Sequence, residues 1–185
     1  TKKEIYKMRN IFSVICIAIL ISMSVKANAQ TDVTTLNNAN ITTNVVLDRT
    51  KIYLMSGNNN VKSGGSLTIP AGTLILGDFE TKGTLIINRG GQIFANGTLQ
   101  DPIVFTSEKP AGQRNFGDWG GVIILGRSAI NTSTGVDSAE IEGFGPGLGP
   151  VYGGQPVVNN DNSGVFRYVR LEFPGINLTG ISGNE

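Results

Sequence analysis

The sequence predicts an all-β chain built as a parallel β-helix, a solenoid, and three observations carry that prediction. Short apolar runs recur at a near-constant step: Leu67-Thr68-Ile69, Leu85-Ile86-Ile87, Ile103-Val104-Phe105 and Val122-Ile123-Ile124 follow one another almost evenly along the chain. The runs are rich in Ile, Val, Leu and Phe and are closed by Gly, Asn or Pro, which reads as strands of about 3–5 residues. Glycine is frequent, and "SGG", "RGG" and "NGT" mark turns that need φ > 0. Helical periodicity is almost absent after Ala29.

Residues 1–29 read as a secretory signal peptide. Lys2, Lys3, Lys7 and Arg9 form a positive head, an apolar run extends from Ile11 to Val25, and Ala27-Asn28-Ala29 gives the small-x-small cleavage pattern. The run falls short of the ~20 residues that cross a bilayer, so no membrane span is expected in the mature chain. The expected location is secreted or cell-surface, after cleavage near Ala29. Residues 30–185 then carry ten basic and thirteen acidic residues, a net charge of −3. No basic stripe remains for nucleic acid. The single cysteine, Cys16, lies in the signal's apolar run, and the chain has no histidine. Disulfides, thiolate metal sites and Ser-His or Cys-His catalysis are excluded from the mature part.

The Thr- and Asn-rich segment 30–50 is expected to form an N-terminal cap or leader, with a leading strand at Val45-Val46-Leu47. Residues 51–185 are expected to form the rungs. A second register, Leu74-Ile75-Leu76 and Ile93-Phe94-Ala95, repeats at the same step beside the first, and Gly72 and Gly90 share its period. The expectation is two strands per rung, with rungs stacked about 4.8 Å apart. The outer residues of each triplet should point inward and the middle one outward. One further step lands on Ile141. A β-sandwich would instead want longer alternating strands joined by hairpin turns. Residues 143–164, with Gly or Pro at almost every second position, interrupt the period and read as a loop leaving the coil. The coil should resume at 164–175.

The stretches "GGSLTIPAGTLILGD", "GTLIINRGGQIFANGT", "DPIVFTSE" and "GDWGGVIILGRSAI" resemble the opening rungs of secreted right-handed parallel β-helix proteins, in particular large surface or secreted proteins of Bacteroidota. The resemblance covers roughly 50–175. It implies a right-handed coil that continues for further rungs, often followed by a sorting domain. The chain therefore reads as the N-terminal part of a longer protein.

The loop and the strand after it supply the candidate ligand-binding residues. Tyr168, Arg170 and Glu172, at i, i+2 and i+4, would line one outward face as an aromatic platform beside a charged pair, and Tyr152 comes from the loop. An ordinary surface ion pair explains the same charges. Asn159, Asn160, Asp161 and Asn162 cluster oxygens that can hold Ca²⁺, with Asp161 and Asn159 the metal candidates; Asx-turn chemistry explains them without a metal. No other cofactor is expected. Trp119 in "FGDWGG" reads as a packing residue rather than a sugar platform. Glu140 and Glu142 flank Ile141 but lie on one strand, with no cleft to support hydrolysis. Lys82, Lys109 and Arg114 are the cations a lyase could use as a base. Asp137-Ser138-Ala139 matches the acidic-Ser/Thr-apolar pattern of O-glycosylation that the resemblance brings with it. The expected role is structural, adhesive or glycan-binding, with extracellular glycans or surface proteins as partners. The alternative is a polysaccharide lyase or glycoside hydrolase whose site lies partly beyond residue 185.

Overall fold

Each apolar run is too brief to bury itself and must pair with the same run one turn away, which winds the chain into stacked turns. A computed structural model describes residues 32–131 and 137–178; the signal segment lies outside them. The first rung holds β1 (Val33–Asn37), β2 (Asn40–Ile41) and β3 (Asn44–Val46). The second holds β4 (Ile52–Ser56), β5 (Asn58–Val61) and β6 (Ser66–Ile69), and the third β7 (Leu74–Gly77), β8 (Thr84–Ile87) and β9 (Gln92–Asn96). The fourth holds β10 (Ile103–Ser107) and β11 (Gly121–Ile124), leaves the coil for a hairpin of β12 (Ser138–Glu140) and β13 (Val151–Gly153), and returns in β14 (Gly164–Arg167). A fifth begins with β15 (Val169–Leu171). The segment read as a cap or leader thus carries the whole first rung.

Three parallel sheets result, ordered β1-β4-β7-β10-β15, β2-β5-β8-β11 and β3-β6-β9-β14. The fold is a right-handed parallel β-helix, the hand that parallel crossovers adopt.

The rung itself differs from the sequence expectation. Each turn carries three strands, not two: the steps from Leu67 to Leu85 and from Leu85 to Ile103 each span two strands, and the step from Ile103 to Val122 only one. Leu67 stacks on Ile93, not on Leu85, in the third sheet. Leu85 and Val122 belong to the second sheet and Ile103 to the first. Leu74 and Ile93, read as one register, stand in different sheets. The two registers together run through every strand from β6 to β11, so alternate strands of a three-strand turn fall at one step and read as successive turns. Side-chain direction is also corrected in one triplet. Ile75 is buried and points inward, whereas Leu74 and Leu76 are the half-exposed outward pair. Ile141 does not continue the coil; it follows β12 in the antiparallel hairpin and bonds to Pro150. The excursion therefore occupies the whole interval from β11 to β14, wider than 143–164.

Inward ladders fill the interior. Ile41, Val61 and Ile87 stack in the second sheet, and Tyr53, Ile75 and Phe105 in the first. All six are buried, each contributing about 1.5–3 kcal/mol relative to exposure. Trp119 is fully buried, stacks on Phe105 with centroids 6.2 Å apart, and donates its indole N–H to the Glu172 carbonyl at 2.7 Å. It fits because residue 77 in the neighbouring rung is glycine. A Cβ there would sit 2.4 Å from the Trp119 Cγ.

Candidate functional site

The outward face of the second sheet is where polar residues collect. Asn40 and Asn60 face each other on neighbouring strands, and Asn60 is opposite Ile86. Asn88 donates its amide to the Asn60 side-chain oxygen at 3.0 Å, and Asn60 donates to the Asn58 carbonyl at 3.1 Å. Asn59, between them, points inward; its amide donates to the Ser56 and Gly57 carbonyls and its oxygen accepts the Ala39 N–H. The alternation of a strand thus presents Asn58, Asn60 and Lys62 to the outside as one row.

The excursion folds over this row. Arg89 donates to the Gly153 carbonyl at 2.9 Å and Gln92 to the Asn162 carbonyl at 3.0 Å, and these bonds tie it to the stack. Within it, the Arg127 guanidinium meets the Asp161 carboxylate at 2.8 Å and the Gly153 N–H bonds to the Gly126 carbonyl. Asp161 also accepts the Arg127 N–H, and its side chain is 6% exposed. At the hairpin tip, Glu140 Oε2 accepts the Gly147 N–H at 2.8 Å. Gly143 and Gly145 take φ of 88° and 83°, which turns the chain sharply on both sides of Phe144.

Between loop and sheet lies a groove of about 310 Å³. Asn58, Asn60, Asn88 and Lys62 line its sheet side, and Phe144 and Leu148 its loop side. Ile86, on the floor, is only 2% exposed although it faces outward. Much of the hydrogen-bonding capacity here is unspent. Among the described residues the Asn58 side-chain amide and the Asn88 amide oxygen have no partner, and the Lys62 ammonium meets no carboxylate. A site with an apolar ring on one wall and several amides on the other suits a ligand with an apolar face and hydroxyl edges.

The residues singled out in the sequence stand elsewhere. Tyr168 is not on a strand with Arg170: it is the corner between β14 and β15, at φ 49°, and its ring lies beside Arg167, whose guanidinium is 5.7 Å from the centroid. Arg170 and Glu172 do form an ion pair, exposed on the arginine side. Tyr152 lines a separate apolar pocket of about 430 Å³ with Ile123, Ile124, Ile130 and Ile141. Asp161 is engaged by Arg127, and Asn159 offers only its carbonyl, to Ser128 at 3.4 Å. Among the described residues no three or more acidic side chains stand together as a cation-holding group. Of the lyase cations, Lys109 pairs with Asp118 at 2.7 Å, Arg114 donates to the Lys109 carbonyl, and Lys82 donates to the carbonyls of Asn177 and Leu178. Ser138 lies in β12 opposite Gly153.

The groove residues were missed because "SGNN" reads as a turn. The signal that could have found them is the alternation in "NNNVK": Asn58, Asn60 and Lys62 share a face once the stretch is taken as a strand. No helix among the described residues is long and apolar enough to cross a membrane. A family model described as a pectate-lyase-like beta helix domain matches residues 39–184. No curated protein and no solved structure matches the chain.

Proposed function

The chain belongs to the pectate-lyase-like β-helix family, and from that premise we propose that it is a secreted or cell-surface solenoid that binds glycans in an adhesive role. The observation that carries the reading is the groove with an unspent Asn58 amide and an unspent Asn88 side-chain oxygen, facing Phe144 and Leu148. Sugars offer such a site both things it asks for, a C–H face for the ring and paired hydroxyls for the amides. The basic head and apolar run of segment 1–29 support export.

Affinity electrophoresis of the purified chain in gels containing xylan, mannan, soluble cellulose or polygalacturonate tests the reading. Retardation in at least one gel is expected, and Asn58→Ala with Asn88→Ala should abolish it while leaving the melting temperature within a few degrees. Retardation that survives the double substitution would remove the groove from the function. Release of new reducing ends from a retained polysaccharide would replace adhesion with the enzymatic alternative.

A further inference from the structure

A second cleft of about 330 Å³ opens on the other side of Phe144. Asn38, Gly57, Asn58, Thr81 and Lys82 line it together with Phe144. Asn58 and Phe144 are thus common to both clefts. The first cleft follows β5 from Asn58 forward to Lys62, and the second continues from Asn58 back past the start of β5 to the corner at Gly57. That interval is five steps of about 3.3 Å, or roughly 16 Å, the length of about three sugar rings laid end to end.

We propose that the two clefts are one binding channel, which holds three consecutive units of a linear glycan along β5 with Phe144 clamping the central unit. The proposal rests on the glycan reading of the groove and adds its length, its path and its direction.

The direction follows from the chemistry of the ends. At the forward end the Lys62 ammonium and the Asn88 oxygen are unspent. At the back end the polar groups beyond the shared Asn58 are already committed. Lys82 is held by two carbonyls at 2.6 and 3.0 Å, Thr81 Oγ1 accepts the Gly57 N–H at 2.9 Å, and the Asn38 side-chain oxygen accepts the Asn58 N–H at 3.0 Å. The forward end can orient a ligand by hydrogen bonds, and the back end receives it by shape. Phe144 is the aromatic ring shared by the clefts, so a sugar face stacked on it lies at the junction and not at either end.

Titration calorimetry with xylo-, cello-, manno- and galacturono-oligosaccharides of two to six units tests this. For a series that binds, affinity should rise about tenfold from two units to three and change less than twofold beyond three. Phe144→Ala should flatten that rise, whereas Lys62→Ala should weaken two-unit and three-unit ligands by the same factor. Phe116→Ala, which removes an exposed ring outside both clefts, should leave the length dependence intact. Equal affinity from two units onward would overturn the channel but leave the single groove standing. Affinity that keeps climbing to six units would also overturn it, by showing a longer path. Binding of no series would overturn channel and groove together.

Discussion

Asp118 shows how a single buried carboxyl is kept charged. Its side chain is 3% exposed, and burial pushes its pKa up; hydrogen bonds from Lys109, Ser107 and the Asn115 N–H outweigh that and hold it below the ordinary carboxyl value of 3.8. A depressed folded-state pKa means stability that is present above the unfolded value and lost as pH falls through the folded one. Asp118→Asn should therefore lower the melting temperature at pH 6, and the gap to the parent chain should narrow as pH drops below about 4. Melting curves at half-unit pH intervals measure it; a gap constant from pH 6 to pH 2.5 would show that the charge contributes nothing. The same motif resolves the sequence reading of "FGDWGG". Its tryptophan reads as packing because the motif resembles one at the entry to a strand, and it is fully buried. The depth of that packing was not legible, since Phe105 and Gly77 meet Trp119 only after the coil closes.

At the scale of elements, the β12–β13 hairpin leaves a rigid stack and is closed at its base. The pin at its base is the Arg127–Asp161 pair, which ties the chain leaving β11 to the chain entering β14 and is partly exposed on the arginine side. Breaking one partner of such a pair leaves the other unsatisfied, which costs more than an exposed ion pair is worth. Asp161→Asn should raise amide hydrogen exchange across 138–153 by an order of magnitude or more and weaken glycan retention, with β6 and β9 unchanged. Exchange mass spectrometry reads both regions in one run, and uniform protection across the hairpin would refute the pin. The sequence disclosed that a loop leaves the coil but not where. Its Gly/Pro-rich half, 143–164, is conspicuous; the half from β11 to β12 has ordinary composition. The strand count failed for a related physical reason. The same aliphatic alternation serves all three sheets, so alternate strands of one turn read as the same strand of successive turns.

For the molecule as a whole, stability runs along the inward ladders. Ile87 is fully buried in the ladder Ile41–Val61–Ile87, and Ile124, its in-register neighbour one rung further, is 42% exposed. Ile87→Ala should cost about 2–5 kcal/mol and Ile124→Ala much less, although both occupy the same inward position. Denaturant midpoints at constant slope would decide it, and equal losses would mean that Ile124 is covered in solution. Fold class was legible because every rung repeats the same demand for inward aliphatics; the candidate groove was not, because it joins residues of two rungs to a loop that leaves the coil at a third. The turn from Tyr53 to Ile75 is shorter than the turn from Ile75 to Phe105, yet the three remain in one ladder. The perimeter of a turn is thus free to vary while its interior is not. Selection can lengthen, shorten or rewrite a corner without touching the residues that keep the chain folded. In a lineage of such proteins, what is recognised can diverge quickly while the scaffold that presents it hardly changes at all.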